Sequence, residues 1–215
     1  MIRSKHGSAT IEQQPRRVVT LDNQGADDAL ALWMVPVATV KVSYVPGDMQ
    51  AWTRTALKGK ATPQLIDADS GIPYERVAAL RPDLILATNT YQLEEKGVYE
   101  RLRRIAPTVH FAEGSNIDTW QQAMQRVGKA IGQEDRARDL VAEAERGLAA
   151  ARKRAPDFEG STVNLFNADP SGPVHGQRRA GLRDPLPRRP RAAPVAEGHR
   201  AQERGRARAD QPRAL

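Results

Sequence analysis

Six residues in three short stretches have the character of a small-molecule contact set. Asn23 and Gln24 follow a β-branched run at 17–21, Trp52 follows a Pro46-Gly47 break, and Asn89, Thr90 and Tyr91 follow an apolar run at 84–88. Proteins with parallel α/β sheets hold ligands outside the carboxyl ends of their strands, which is where all three stretches fall. Amides and hydroxyls supply directed hydrogen bonds there. Aromatic rings with polar tips add apolar area, a combination suited to a ligand with both apolar and oxygen-rich faces. Ordinary packing is the competing reading for each ring. Intrinsic metal chemistry has little to draw on. The chain has no cysteine, which excludes disulfides, thiolate metal sites and a cysteine nucleophile. Its four histidines, His6, His110, His175 and His199, show no zinc-ligand spacing. His110 reads as a structural residue in a strand and His6 as part of a frayed terminus. No metal site and no catalytic residue are therefore expected.

The elements that would position these residues alternate. Strands are predicted at 17–21, within 35–45, at 83–88 and at 108–112, and helices at 26–33, 73–80 and 93–105. Asp118 with Gln121 three residues on has the form of a capping box opening a helix that Gly132 stops. A charged, amphipathic helix over 133–154 follows, closed by Pro156, with Glu134 and Arg138 as an i,i+4 pair. A further strand starts at 161–167. Such alternation predicts an α/β fold with a largely parallel sheet. The last helix is long for a crossover within one small lobe and is suited to bridging two.

Charge divides the chain near residue 170. The net charge is +7 over 215 residues. Residues 171–215 hold eleven Arg against two Asp and two Glu, and so carry the entire excess. They contain no aromatic residue, Ile or Met, and Arg, Ala, Pro and Gly dominate. Too little apolar surface is available to offset ordering entropy, so disorder is expected. The same four residues are those of GC-rich codons, and a frameshift in a GC-rich gene would produce this composition. No apolar run approaches the ~20 residues of a membrane span. Residues 1–17 have no apolar signal core and no lipid-anchoring cysteine, so an exported protein would start upstream of this Met1.

Four stretches, in order, resemble the helical-backbone class of periplasmic binding proteins that serve siderophore, haem and vitamin B12 importers: PRRVVTL at 15–21, YERVAALRPDLILA at 74–87, RIAPTV at 104–109, and Trp120 through Gly132-Gln133-Glu134 into the long helix. The second is the most specific. The resemblance implies two α/β lobes joined by a rigid helix, with ligand in the cleft between them. Residues 1–132 would form the N-terminal lobe, 133–156 the connecting helix and 157–170 the first strand of a second lobe that is largely missing. Residues 171–215 would be the disordered tail.

The implied function is the substrate-binding component, here a fragment, of an ABC importer for iron(III)–siderophore. The implied ligand contacts are Asn23, Gln24, Trp52, Asn89, Thr90 and Tyr91. Trp52 and Tyr91 align with aromatic contacts of hydroxamate-type members, while Asp69 stands where those members carry an arginine. Glu75 matches a glutamate that docks on permease arginines, although a first-turn Glu is also favoured by the helix dipole. The resemblance further implies a non-enzymatic monomer in the periplasm or at the outer face of the cytoplasmic membrane. It would need no cofactor, since the ferric siderophore is cargo that supplies its own iron ligands.

Two other classes compete. The stretch LDNQGADDALAL at 21–32 resembles the Asp-rich first loop of calcium-dependent nucleoside N-ribohydrolases, one residue short and with Asn23-Gln24 in place of an aspartate. The basic tail would bind nucleic acid through counterion release, but it lacks aromatics for base stacking and any recognisable fold, so no specific nucleic acid is expected.

Overall fold

The computed structural model describes residues 1–156 and the backbone of 163–169 and 172–179. Two compact units divide the chain, Met1–Phe158 and Glu159–Leu215.

The first unit opens with an antiparallel hairpin, β1 (Ile2–Ser4) and β2 (Gly7–Ala9). There follow β3 (Val18–Thr20), α1 (Asn23–Ala31), β4 (Ala38–Val40), α2 (Ala51–Ala56), β5 (Gln64–Ile66), α3 (Tyr74–Ala79), β6 (Leu84–Ala87), α4 (Lys96–Leu102), β7 (Thr108–His110), α5 (Trp120–Ile131) and α6 (Glu134–Arg154). Strands β3 to β7 form one parallel sheet in the order β5-β4-β3-β6-β7. The chain winds outward from β3 to β5, then returns to place β6 on the other side of β3. The gap between β3 and β6 is therefore the topological switch point, where open α/β sheets form a crevice.

All four residues of β6 are buried, as expected of a strand covered on both faces. Leu84 and Leu86 share one core with Ala29 of α1 and its C-cap Leu32, Val127 and Ile131 of α5, and Ala137 and Val141 of α6. Ile85 and Ala87 face the other core, with Val77 of α3 and Tyr99 and Leu102 of α4. Gly128 lets α6 close on α5, because a Cβ there would lie 2.4 Å from Ala137 Cβ.

Helix α6 packs only at its start. A hydrogen bond of 3.3 Å from Gln121 Nε2 to Glu145 Oε1 shows that it runs back antiparallel to α5. Every residue from Glu143 to Arg154 is exposed, Leu148 included. The nine residues beyond Glu145 carry the helix about 14 Å past the first turn of α5, on the side of the sheet where the strands end. The charged sequence of this segment suits a solvated rod.

Several local expectations are corrected. The N-terminus is not frayed: Ile2 and Ala9 are core residues, and the Lys5 amide donates to the Phe111 carbonyl at 2.9 Å. Alternating polar and small residues gave this hairpin no apolar signature. Helix α5 is capped by Thr119 with Gln122, a true capping box. Asp118 instead accepts from the Ala112 and Glu113 amides and pairs with Arg126 at 3.2 Å. On α6 the ion pair is Asp135–Arg138, at i,i+3. The helix expected over 93–105 is a 3-10 turn at Tyr91–Glu94 followed by α4.

In the second unit, β8 (Val163–Asp169) pairs antiparallel with β9 (Gly172–Arg179). The first of these overlaps the strand expected at 161–167, ending two residues later. The second falls inside the segment that composition assigns to disorder, because strand pairing can order a chain of poor intrinsic preference. The remainder of the tail, with its nucleic-acid reading, lies outside the described residues. No helix among the described residues is long and apolar enough to cross a membrane.

Candidate functional site at the switch-point edge

Asp22 organises the edge. It lies two residues past β3 and caps α1, its Oδ1 accepting from the Gly25 amide at 2.6 Å. Its Oδ2 accepts from the Asn89 amide at 2.9 Å and from Thr90 Oγ1 at 2.9 Å, both on the loop that leaves β6. One carboxylate thus ties the two loops flanking the switch point. Burial drives its carboxyl above the ordinary carboxylate range, against the pull of these hydrogen bonds.

Asn89 extends the network. Its Oδ1 accepts from the Asn116 amide at 2.8 Å and its Nδ2 donates to Asn116 Oδ1 at 3.1 Å. Asn116 sits in the left-handed region at φ 58°, a conformation that asparagine tolerates. Glu94 accepts from the Ser115 amide at 2.7 Å and pairs with Lys5 at 2.5 Å. The N-terminal hairpin thereby braces the loop that carries Tyr91.

Three aromatic rings stand well clear of this edge, among them Tyr44 on the loop that leaves β4, 81% exposed. Tyr91 is 67% exposed and Trp52 62% exposed. Trp52 lies in α2 rather than in a loop, and Asp27 on α1 fixes it, accepting from Trp52 Nε1 at 2.8 Å and from Thr53 Oγ1 at 2.6 Å. Asn23 and Gln24 form the first turn of α1, half-buried beside Asp22. Thr90 is buried, its hydroxyl 3.1 Å from the Leu21 carbonyl oxygen as well as next to Asp22, so it positions the loop rather than facing out. Glu75 lies in the first turn of α3, exposed and without an ion-pair partner among the described residues. Asp69 accepts from Ser43 Oγ at 2.5 Å.

The Asp-rich stretch does not converge on a cation. Asp22 caps, Asp27 holds Trp52, and Asp28 Oδ2 is buried without a hydrogen-bond partner. Among the described residues no group of three His, Asp or Glu could hold a metal ion. What the spacing suggested as a calcium loop is a helix cap plus an aromatic anchor. The cap is a role that an Asp directly before a helix signals by itself.

Asp28 yields a pH prediction. Burial, then repulsion from Asp22 and Asp27, pushes its carboxyl up to about 8. The unfolded chain is ionised well below that pH, so between pH 7 and 9 only the folded form must release this proton. Folding therefore weakens by about 1.4 kcal/mol over that window. Asp28→Asn removes this loss. Its melting temperature is expected to exceed that of the wild type by more at pH 9 than at pH 7, and an equal offset at both would contradict the assignment.

The sequence profile of a family described as "Periplasmic binding protein" matches residues 18–212, a span that includes the arginine-rich segment. Among relatives, the chain is similar to the "Probable siderophore-binding lipoprotein YfiY" of Bacillus subtilis, 27% identical over 75% of this chain and 48% of that protein. It is also similar to the "Ferric enterobactin-binding periplasmic protein FepB" of Escherichia coli, 29% identical over 71% of this chain and 48% of that one. Among solved structures, a periplasmic solute binding protein from Mycobacterium smegmatis superposes with a TM-score of 0.70 at 30% identity, covering 83% of this chain and 61% of its own. PiaA of Streptococcus pneumoniae in complex with ferrichrome shares the fold, with a TM-score of 0.69 at 24% identity over 78% of this chain and 57% of its own. The chain spans about half the length of the relatives it matches, and those relatives are named as binding proteins, not as enzymes. With the parallel sheet, the switch-point loops and the projecting helix in place, this chain belongs to the periplasmic binding protein family.

Proposed function

We propose that the chain forms the N-terminal wall of a capture cleft for an iron(III)–siderophore, in the substrate-binding component of an ABC importer. The supporting observation is the pair of exposed rings, Trp52 and Tyr91, raised on the switch-point edge beside the amide groups of Asn23, Gln24 and Asn89. The rings cover apolar parts of the chelate and the amides meet its oxygen-rich face. Thr90 acts through Asp22. The siderophore saturates its own iron, so the protein needs neither a metal site nor a catalytic group, and it acts as a binding protein rather than an enzyme. Helix α6 serves as the stiff connector of the intact cleft and limits hinge motion. The protein works as a monomer outside the cytoplasmic membrane, and Glu75 offers its carboxylate to cationic groups of the permease.

Tryptophan fluorescence tests the reading. Ferric siderophores are expected to quench saturably, and Trp52→Phe is expected to remove most of that change while Trp33 and Trp120 still report. No quenching by hydroxamate, catecholate and citrate complexes alike would overturn it. Glu75→Lys is expected to leave quenching intact and to abolish uptake in a reconstituted transporter.

A further inference from the structure

The charge of this lobe is segregated along the strand direction. The loops that leave the carboxyl ends of β3 to β7, residues 21–22, 41–50, 67–73, 88–95 and 111–119, hold eight Asp or Glu against one Lys and no Arg. The loops at the opposite edge, 10–17, 32–37, 57–63, 80–83 and 103–107, hold seven Lys or Arg against two acids. The five helices that start at the first edge contribute about half a positive charge each, which does not cancel the acids.

The single lysine there is already engaged: Lys41 lies 2.6 Å from Asp67 and 3.7 Å from Asp69. Lys5, reaching in from the hairpin, is held by Glu94, and Arg126 by Asp118, while Arg54, bonded to the Pro46 and Met49 carbonyls, and Lys96 in the first turn of α4 offset only part of the acidic excess. Asp48, Glu95 and Glu113 remain exposed with no ion-pair partner among the described residues, and Asp69 only shares Lys41.

From this distribution we infer that the site selects by charge, taking ferric chelates that are neutral or cationic, of the trihydroxamate class, and rejecting anionic ones. The inference rests on the proposed capture role and names the ligand class within it. Three singly charged hydroxamates cancel the charge of Fe(III). Three doubly charged catecholates leave three negative charges, and a citrate complex is also anionic. An edge of one sign between low-dielectric walls focuses its field on the crevice, and a like-charge barrier is a direct way to exclude a competitor. A triply negative chelate about 8 Å from one unpaired carboxylate loses roughly tenfold in affinity even at the dielectric constant of water. The ligands named for the relatives include both kinds of chelate, so the preference comes from these side chains and not from the likeness.

Isothermal titration of the full chain provides the test, with a neutral ferric trihydroxamate and a ferric tris-catecholate as probes at low salt. The trihydroxamate is expected to bind at least about tenfold more tightly. The triple variant Asp48→Asn, Asp69→Asn, Glu113→Gln is expected to narrow the gap by tightening the catecholate while leaving the trihydroxamate within about twofold. Added salt should narrow it as well. Catecholate binding as tight as trihydroxamate binding would overturn charge selection and leave the capture role standing. Binding of neither would remove the capture role, and charge selection with it.

Discussion

Asp22→Ala is expected to cost the first unit about 3 kcal/mol, read as a fall of about 6–12 °C in melting temperature. The carboxylate caps α1 and accepts two donors from the β6 loop. Alanine leaves the Gly25 and Asn89 amides without their partner at a site largely closed to water. Part of the loss is offset, because a buried carboxylate with a raised pKa carries its own desolvation cost and repels Asp28. The balance still favours Asp22, since loss of a cap costs about 1 kcal/mol and each stranded buried donor a comparable amount or more. Thermal melts and amide exchange at Asn89 measure the effect. An unchanged melting temperature would show that the two loops are held together by something other than this side chain.

Gly128→Leu is expected to lower stability by about 3 kcal/mol and to detach the start of α6. Helix propensity alone predicts the opposite, since replacing a mid-helix glycine gains nearly 1 kcal/mol. Geometry decides the sign. Even the Cβ would fall 2.4 Å from Ala137 Cβ and 3.1 Å from the Gln133 carbonyl oxygen, the latter backbone that cannot swing aside. Helix α6 must retreat, and with it Ala137 and Val141 leave the core shared with Leu84 and Leu86. Proteolytic cutting within 134–154 should accelerate in the variant. A variant as stable as the wild type, with equal protection there, would contradict the packing of the connector against α5.

The sheet was legible because its strands bury both faces. A continuous apolar run such as 84–87 between helical patterns leaves few alternatives, and Gly132 at φ 71° marks the end of α5 as its residue type suggests. Long-range partners were not legible. The N-terminal hairpin is held by Lys5 to Glu94 and to the Phe111 carbonyl across about ninety or more residues of chain, and no local pattern announces such contacts.

At the site, Trp52 and Tyr91 were evident as residue types. Their fixing was not, because Asp27 reads as one more acid in an acidic stretch until α2 is seen against α1. Position alone would make Thr90 a contact, while its burial and its hydrogen bond to the Leu21 carbonyl suit it to support. The charge polarity of the two edges lies entirely in the sequence, yet it is invisible until the strand directions sort the loops.

Equilibrium dialysis of the chain against an iron-labelled ferric trihydroxamate tests the capture reading most directly. One iron retained per chain at saturation, with retention lost by the Trp52→Ala, Tyr91→Ala double variant at unchanged melting temperature, is the predicted result. No retention of this chelate or of labelled tris-catecholate and citrate complexes, or full retention by the double variant, would contradict it.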